Sequence, residues 1–355
     1  MSLLFSPLRI KSVTLRNRIV VSPMCQYSAV DGFADNWHLV HLGSRSVGGA
    51  GLVFTEAAAV SPEGRITKDD LGIYKEEHVG FLKTITAFLE KHGAVPGIQI
   101  AHAGRKASTY QEWKGTGKVD EENGGWTPVA PSAIPFADNF AQPTELDIAG
   151  IEKVKQDFAA GAQRALKAGF KVLEIHAAHG YLLHEFLSPL SNRRTDQYGG
   201  SFANRTRFLL ETVDEIQKVW PKDLPLFVRI SATDWVQGGW NEQESLELAR
   251  LLEAKGVDAI DVSSGGTDPD AKIPVGAGYQ LPFASLIKHH TDLIVGTVGL
   301  ITNASQAETI LVNGDADLIF MARELLRDPY FPLHAAKELH EDLVWPNQYR
   351  RAKLK

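Results

Sequence analysis

Two histidines, His176 and His179, lie three residues apart where an apolar run gives way to a turn. Three interpretations of this pair are open. With Glu174 or Glu185 the imidazoles could bind zinc or iron, they could donate hydrogen bonds to a substrate oxygen that gains negative charge, or they could be structural histidines. Because side chains alternate between the two faces of a strand, we expect Glu174 to point away from an inward-facing neighbour. A metal would then lack a clear third ligand, which favours the hydrogen-bond donors.

Arg229 stands inside another apolar run, where a charge is costly unless an anion meets it. The anion could belong to a ligand or to a buried carboxylate, Glu56 or Glu174, and the two alternatives can coexist. Gln99 lies in a further apolar run and offers both donors and acceptors, which suits the polar edge of a heteroaromatic ring. Both side chains therefore indicate a bound ligand without identifying it.

Glycines and an arginine in the last part of the chain predict a phosphate site. Gly296 and Gly299 would let the backbone approach a ligand closely, and a short helix after Ala322 would direct free N–H groups at it. Arg323 adds a fork of donors that matches phosphate. The glycines alone could equally form a tight turn between a strand and a helix. With Arg323 beside them, phosphate binding is the stronger interpretation.

The composition is that of an ordinary globular protein. The 355 residues carry a formal net charge of −6 with no basic stripe, so nucleic acid is not an expected partner. No apolar run is long enough to span a bilayer, and the N-terminus does not resemble a signal peptide. Cys25 is the single cysteine, which excludes an internal disulfide and fits a cytoplasmic location. At the end of a predicted strand, we expect Cys25 to contact a ligand rather than to be a nucleophile.

The elements that must position these residues alternate along the chain. Eight short apolar runs, typical of strands buried on both faces, are separated by amphipathic helical patterns. Such alternation predicts a parallel sheet, and eight units favour a closed α/β barrel, a (β/α)8 TIM barrel, over an open doubly wound sheet. The runs are Arg18–Ser22, Gly51–Ala57, Val95–His102, Lys171–Ala178, Leu226–Ala232, Ala259–Gly265, Leu293–Gly299 and Asp317–Arg323. The helical patterns are Glu77–Lys91, Ile151–Ala168, Ala203–Val219, Glu242–Lys255, Ser305–Asn313 and Leu325–Leu339.

We interpret residues 1–355 as one domain with two segments outside the repeat. Residues 108–147 are rich in Gly and Pro and long for a barrel loop, so they predict a lid over the site, although a surface insertion without a role is the alternative. A second Gly- and Pro-rich loop covers Thr267–Tyr279, and residues 341–355 form a C-terminal tail. The polar residues above then fall at the C-terminal ends of the barrel strands, where barrel enzymes carry their sites.

Five motifs in these positions are similar to those of the Old Yellow Enzyme family. They are S-P-M-C-Q-Y at Ser22–Tyr27, the segments Gly97–Lys106 and Leu226–Ala232, the long fourth-strand motif Glu174–Gly200, and A-R-E-L-L-R-D-P at Ala322–Pro329. The resemblance covers essentially the whole chain. Cysteine rather than threonine at position 25 resembles the thermophilic-like branch, which includes the xenobiotic reductases.

The resemblance implies a bound FMN with NADPH or NADH as hydride donor. Cys25 would lie near N5 of the flavin and tune its potential, and the glycines and Arg323 would hold the phosphate. Position 322 departs from the family pattern, being Ala where glycine is frequent, at a place where only the backbone N–H is needed. The residues implied to contact FMN are Ser22, Pro23, Met24, Cys25, Ala57, Gln99, Arg229, Gly296, Gly299, Ala322 and Arg323.

The resemblance also implies the substrate site and its reaction. His176 and His179 would bind a carbonyl or nitro oxygen, Tyr181 would supply a proton, and Tyr27 would help to bind the substrate. Activated alkenes, namely α,β-unsaturated carbonyl or nitro compounds, would be reduced in ping-pong order after NAD(P)H. Two rival functions stay open: a metal-dependent lyase or aldolase that uses the two histidines as ligands, and a non-catalytic barrel that binds a phosphate-bearing ligand.

In the same branch, the C-terminal tail often reaches the active site of a neighbouring subunit. Trp345 and Arg351 are the matching residues here. The resemblance therefore implies a homodimer or homotetramer in which these two side chains take part in substrate binding.

Overall fold

The computed structural model describes residues 2–353, which form twelve strands and ten α-helices. The strands are β1 Leu8–Ile10, β2 Val13–Leu15, β3 Ile19–Val21, β4 Leu52–Ala59, β5 Val95–Ala101, β6 Val129–Ala130, β7 Thr144–Glu145, β8 Val172–Ala177, β9 Leu226–Ser231, β10 Ala259–Ser263, β11 Ile294–Thr297 and β12 Leu318–Met321. The helices are α1 Asn36–Val47, α2 Val79–Lys91, α3 Ile148–Lys167, α4 Leu182–Leu187, α5 Phe202–Gln217, α6 Glu242–Ala254, α7 Leu281–Lys288, α8 Ala304–Val312, α9 Arg323–Arg327 and α10 Phe331–Glu338.

Eight of the strands form a closed parallel barrel. Their order around the barrel is β3, β4, β5, β8, β9, β10, β11 and β12, and β12 closes the ring by pairing Phe320 with Val20 of β3. Seven of the eight predicted apolar runs each contain one of these strands, and the remaining strand, β4, begins inside the run Gly51–Ala57 and ends two residues beyond it. The predicted (β/α)8 barrel is therefore confirmed, and the open doubly wound sheet is excluded.

Aromatic side chains fill the inside of the barrel. The ring centroid of Phe54 lies 6.0 Å from those of both Phe227 and Phe320. Gly296 on β11 leaves room for this packing, because a Cβ there would lie 2.3 Å from the ring of Phe320. Gly296 thus has a role in barrel packing that the sequence prediction of a phosphate contact did not include.

An N-terminal hairpin, which was absent from the predicted elements, covers one end of the barrel. β1 and β2 pair in antiparallel fashion, and their residues Ile10, Val13 and Leu15 share a hydrophobic cluster with the first residues of β4 and β8, Leu52 and Val172. The cluster therefore lies at the N-terminal ends of the strands. The opposite end stays available for a ligand, as in other barrels of this kind.

The predicted helices are found within a few residues of their expected bounds, with one exception. The prediction of a single helix over Leu325–Leu339 is wrong, since the chain forms α9 and α10 with a break between them. Pro329 explains the break, because proline lacks an N–H and restricts the residue before it, and Asp328 has the extended angles φ −131°, ψ 91°. Helices α1, α4 and α7 were not among the predicted elements.

The predicted lid, residues 108–147, has little regular structure. It contains a 3-10 turn at Glu121–Asn123 and the short parallel pair β6–β7. Arg194 fastens it to the barrel by donating to the carbonyl oxygen of Pro131 at 3.0 Å. Nowhere in residues 2–353 does a helix have the length and apolar character needed to cross a membrane.

Candidate active site

Polar side chains from neighbouring strands converge where the barrel strands end. In the strand register, His176 of β8 is the partner of Arg229 of β9, and Arg229 is the partner of Asp261 of β10. Partners in a parallel sheet point to the same side. The sequence thus brings two ionisable groups and an imidazole side by side inside the barrel.

The two histidines contact each other directly. His176 Nε2 lies 3.3 Å from His179 Nδ1, and His179 Nε2 lies 2.7 Å from the hydroxyl of Ser263. Burial, reinforced by the charge of Arg229, lowers the pKa of both imidazoles well below the ordinary value. Both histidines are therefore neutral at pH 7, and each carries one N–H that can be donated.

His179 is held in a backbone conformation that is rare for residues other than glycine. Its φ is +60°, and that of the next residue, Gly180, is +71°. Gly180 has no room for a side chain, because a Cβ there would lie 2.1 Å from the carbonyl oxygen of Gly266. The backbone N–H of His179 donates to Ser231 Oγ at 2.9 Å. The surrounding loops thus fix the imidazole in a strained but defined position.

Arg105 and Lys106, at the end of β5, bind three loops together. Lys106 Nζ donates to the carbonyl oxygens of His179 at 2.9 Å and Gly266 at 3.1 Å. Arg105 donates to the carbonyl oxygen of Thr267 at 2.6 Å and reaches that of Pro135 in the lid at 3.4 Å. Burial lowers the pKa of Lys106 to about 8. We call Arg105 and Lys106, with the four carbonyl groups that accept from them, the loop clamp.

Tyr27, Cys25 and Tyr181 lie together on the other side of the site. The Tyr27 hydroxyl is within hydrogen-bonding reach of the Cys25 thiol, and the rings of Tyr181 and His176 meet edge to face with centroids 4.9 Å apart. Burial raises the pKa of Cys25 and of Tyr181 well above their ordinary values, and buried Asp70 adds to both shifts. The thiol and the phenol therefore keep their protons at neutral pH.

Asp70 offers a test of this electrostatic environment. Burial, with the charge of Glu56, raises the pKa of Asp70 to about 7. A carboxyl whose pKa is higher in the folded state stabilises the fold below its unfolded pKa and loses that contribution as the pH rises through the folded value. We expect the free energy of unfolding of the wild type to fall, relative to Asp70→Asn, by about 1 kcal/mol per pH unit between pH 5 and 7 and to level off above pH 8. Urea unfolding of both proteins at fixed excess FMN measures it, and parallel curves would contradict it.

Arg229 lies beside two carboxyl groups, only one of which was anticipated. Its Nε lies 2.9 Å from Asp261 Oδ2 without hydrogen-bond geometry, and Glu174 is the second carboxyl group nearby, with a pKa that burial raises well above its ordinary value. The prediction that Glu174 points away from the site is wrong: it is two residues from His176 on the same strand, and its carboxylate accepts a 2.8 Å bond from Gln99. Glu56, the other carboxylate considered as a partner of Arg229, instead contacts His38, next to a β-bulge in β4.

That bulge lies in β4 and shapes the neighbouring loop. The register between β4 and β5 shifts between Phe54 and Ala57, which places Ala57 beside Gln99. Glu56 contacts His38 Nε2 at 3.1 Å and accepts the backbone N–H of Gln26 at 2.9 Å. The bulge therefore anchors the residue that follows Cys25.

A cavity of about 140 Å³ opens between β11, β12 and α9. Arg229, Gly299, Ala322 and Arg323 are among its lining residues, whereas Gly296 is not. Gly299 has φ +132°, and a Cβ there would meet the ring of Tyr279 at 3.1 Å. Three of the four residues predicted for the phosphate end of the ligand thus line one cavity, together with Arg229, whereas the fourth, Gly296, is buried in the barrel.

The site fits the FMN that the resemblance implies. Ser22 Oγ is buried at the end of β3 with no hydrogen-bond partner in residues 2–353, and Arg229 Nε also lacks one of good geometry. Pro23, Met24 and Cys25 follow Ser22 as partly exposed residues. Unpartnered buried polar groups are costly unless a ligand pairs with them. The polar edge of the FMN ring would pair with these two atoms, and its phosphate would occupy the cavity.

A metal centre is not supported by the arrangement of side chains. Across the described residues no group of three or more His, Cys, Asp or Glu side chains could hold a metal ion. Glu185, one of the two carboxylates considered as a ligand, instead accepts the backbone N–H of Arg105 at 2.8 Å. The geometry therefore disfavours the lyase or aldolase alternative.

Trp345 and Arg351 do not lie with the other predicted site residues of the same chain. Both line a groove of about 830 Å³ formed by the tail and α10, whose lining also includes Lys337 and His340. Tyr349 packs on Tyr330 with ring centroids 6.0 Å apart, which holds the tail against the body. A role of these two residues in a neighbouring subunit's site remains a prediction.

Several residues of the site were not singled out from the sequence. Ser263, Asp261 and Gln280 lie on or after β10, and Lys106 and Asp70 lie in loops. Asp261 had a signal, since a charged residue in the predicted run Ala259–Gly265 is as unusual as Arg229 in its run. For Gln280 no sequence signal existed, because its contact with Ser264 Oγ at 2.6 Å depends on the fold of a long loop.

Known proteins are similar to this chain over nearly its whole length. Residues 3–342 match the family described as NADH:flavin oxidoreductase / NADH oxidase. The NADPH dehydrogenase of Geobacillus sp. (strain WCH70) is 51% identical over 352 residues, 99% of this chain and 98% of that protein. The NADPH dehydrogenase of Bacillus subtilis (strain 168) is 48% identical over 350 residues, 98% of each. The structure of morphinone reductase in complex with tetrahydroNAD has a TM-score of 0.79 at 26% identity, covering 97% of this chain and 92% of that one.

The fold, the cavity and the matched families lead to one assignment. Identity near one half over the full length is accompanied by the closed barrel and by a site that fits FMN. The chain therefore belongs to the NADH:flavin oxidoreductase / NADH oxidase family, that of Old Yellow Enzyme, and is an FMN-dependent oxidoreductase with NADH or NADPH as the hydride donor.

Proposed function

We propose that the enzyme reduces the activated C=C bond of α,β-unsaturated carbonyl or nitro compounds in ping-pong order. The observation that carries this proposal is the neutral pair His176 and His179 beside the partly buried Tyr181. Two uncharged N–H donors and one proton donor are what the polarisation and protonation of such an alkene require.

The tautomers of the histidines support an oxygen-binding site between them. The N–H of Ala178 donates to His176 Nδ1 at 3.2 Å, so the proton of neutral His176 is on Nε2. Oxygen binding by both rings requires Ser263 to donate its hydroxyl to His179 Nε2, 2.7 Å away, rather than to Gln280 Oε1, 3.3 Å away, so that the proton of His179 is on Nδ1. The two nitrogens, 3.3 Å apart, then both carry protons and cannot bond to each other, and an acceptor to one side of the line that joins them, about 2.9 Å from each, satisfies both. A carbonyl or nitro oxygen is such an acceptor, and its negative charge would be stabilised there.

Tyr181 would supply the proton that the α-carbon receives. Its raised pKa keeps the phenol protonated, and its ring is positioned by the edge contact with His176 and by the Lys106 ammonium group, 5.3 Å from the ring centroid. Tyr27 would bind the substrate from the side of Cys25. The side chains thus orient the alkene with its oxygen on the histidines and its α-carbon near the phenol.

We also propose which residues contact FMN, supported by the unpartnered polar atoms and by the cavity between β11, β12 and α9. Ser22 to Cys25, Ala57, Gln99 and Arg229 would contact the ring, and Gly299, Ala322 and Arg323 the phosphate. When bound, FMN supplies two-electron chemistry between the nicotinamide and the alkene. Arg229 would place its positive charge at the polar edge of the ring, with Asp261 holding the guanidinium in position.

An anaerobic two-step experiment tests the proposed activity. NADPH should bleach the visible absorbance of the purified protein near about 450 nm, and cyclohex-2-enone added afterwards should restore it. One saturated ketone should form for each NADPH oxidised. Bleaching without recovery on the enone or on a nitroalkene would overturn the proposal while leaving the family assignment intact.

The phosphate end of the site gives a separate prediction. We expect Arg323→Ala to raise the Kd for FMN about tenfold, because a charge-assisted hydrogen bond to phosphate is lost from a partly solvated position. The quenching of FMN fluorescence on titration into the apoprotein measures it. Arg250→Ala, an exposed arginine on α6, is the matched control and should leave the Kd unchanged. Equal affinities of wild type and Arg323→Ala would remove Arg323 from the site.

The state of assembly is part of the proposal. We infer a homodimer or homotetramer in which Trp345 and Arg351 reach the substrate site of a neighbour, supported by the resemblance and by their distance from the site residues of their own chain. The single cysteine, which allows no internal disulfide, supports a cytoplasmic location. The insertion at residues 108–147 is proposed as the lid.

A further inference from the structure

The tip of the proposed lid carries a large aromatic side chain on a backbone turn closed by hydrogen bonds. The segment 108–119 folds back on itself, with Tyr110 N–H donating to the Gly117 carbonyl at 3.2 Å and Val119 N–H donating to the Ser108 carbonyl at 2.8 Å. A turn closed by the Lys114 N–H on the Gln111 carbonyl, at 2.8 Å, lies at its end. Residues 112 and 113 are inside that turn, so their position is set by backbone hydrogen bonds.

Trp113, in this turn, meets the site through Tyr27. The two rings contact edge to face, with centroids 5.7 Å apart and planes at 63°. The Tyr27 hydroxyl in turn reaches Cys25, so an unbroken chain of contacts runs from the cofactor side of the site to the lid. Tyr27 has φ +50°, a conformation that is rare for an aromatic residue. Such strain is typical of residues whose orientation matters for function.

Most of the Trp113 ring has nothing packed on it. It is 66% exposed, whereas Trp220 and Trp240 are 4% and 1% exposed and donate their indole N–H groups to Pro225 and Ser245. Burial is the main cause that raises the pKa of Tyr27 and of Tyr181, and the charge of Glu112, next to Trp113, adds a smaller part to each shift. The lid tip therefore lies near both phenols. An exposed aromatic face beside the site is available for contact with a bound ligand.

We propose that Trp113 determines substrate specificity: with Tyr27 it forms the outer wall of the substrate site, so the enzyme favours activated alkenes that carry an aryl group over those that carry a small alkyl group. The inference rests on the proposed alkene reduction. With its oxygen on the two histidines, a substrate extends its β-substituent away from them, and a planar ring can pack on the uncovered face of Trp113. A contact between two aromatic rings contributes more free energy than its buried area alone provides. The extra free energy corresponds to a gain in affinity of about 3- to 10-fold.

Two nitroalkenes that differ only in the substituent test the proposal. β-Nitrostyrene carries a phenyl group where 1-nitropropene carries a methyl group. In Trp113→Ala we expect the KM for β-nitrostyrene to rise about 5- to 10-fold, with kcat nearly unchanged, and the KM for 1-nitropropene to change by less than about twofold. Trp113→Phe should retain most of the wild-type preference, because it keeps an aromatic face.

Binding of the unreactive products provides a readout that is independent of turnover. The Kd for (2-nitroethyl)benzene, followed by the change in the visible spectrum of the holoenzyme, should rise in Trp113→Ala in parallel with the KM, and that for 1-nitropropane should not. Lys114→Ala, the next residue in the same turn, is the control for a general loosening of the lid and should leave both ratios as in the wild type.

The outcomes separate this inference from the activity on which it rests. Wild-type enzyme that reduces neither nitroalkene would contradict the proposed function. Wild-type enzyme that reduces both, with a preference that Trp113→Ala leaves unchanged or that Lys114→Ala abolishes equally, would overturn the role of Trp113 alone. A content of bound FMN equal to that of the wild type shows that each variant is folded.

Discussion

Replacing His176 and His179 together by alanine should lower the rate of alkene reduction about 10³-fold, with FMN content retained. The loss follows from the removal of both N–H groups that meet between the two rings, since one such donor is worth about 10²- to 10³-fold in rate. The measurement is the recovery of visible absorbance after pre-reduced enzyme is mixed with cyclohex-2-enone in a stopped-flow instrument. His290→Ala, at an exposed position two residues after α7, is the matched control.

A structural role of the pair would give a different pattern. If the histidines served mainly to hold the barrel rim, the double variant would lose FMN and alkene reduction to the same extent. The pH dependence separates the roles further. Because the pKa of each imidazole is lowered by burial, the wild-type rate should show no loss from histidine protonation between pH 6 and 8. A fall in rate below pH 7 that disappears in the double variant would contradict neutral donors.

Tyr181→Phe should slow the same half-reaction about 10²-fold and leave reduction by NADPH within about twofold of the wild type. The ring and its contact with His176 remain, and only the phenolic proton is removed, so the change isolates proton donation. Stopped-flow absorbance measures the two half-reactions separately. Tyr198→Phe is the control, because its hydroxyl bonds to Glu211 Oε2 at 2.9 Å on the outer side of the barrel.

The pH profile of this variant offers an internal check. The raised pKa of Tyr181 predicts that the wild-type rate stays constant up to about pH 9, because the phenol is still protonated there. Equal slowing of both half-reactions in Tyr181→Phe would instead indicate that the ring packing, and not the proton, is required. A wild-type rate that already falls between pH 7 and 8 would assign proton donation to another group.

The barrel could be predicted from the sequence because its signal is local and repeated. Each strand is a short apolar run buried on both faces, and each run can be recognised independently of the others. The break between α9 and α10 was also readable in principle, since Pro329 stands inside the helical pattern. The hairpin β1–β2 was not, because its three-residue strands are too short to show alternation.

The site was predictable where chemistry is unusual for its surroundings. Arg229 in an apolar strand and the closely spaced His176 and His179 stand out in any sequence of this composition. Ser263, which contacts His179, and Asp70, whose charge acts on Cys25 and Tyr181, did not stand out, because they are ordinary residues whose importance comes from distances set by the closed barrel and its loops. The direction of Glu174 was misjudged for a simpler reason: residues two apart on a strand share a face.

The loop clamp has a consequence for how such enzymes can be diversified. Arg105 and Lys106 join the lid, the segment after β8 and the segment after β10 by charged donors to backbone carbonyl oxygens. If one of these loops is replaced by that of a relative, its carbonyl groups change position. Arg105 and Lys106, which also bind the carbonyl groups of the other two loops, must then shift as well. The three loops therefore constitute one inherited unit, and recombination between relatives should preserve activity when its crossover points leave all three loops and residues 105–106 with a single parent.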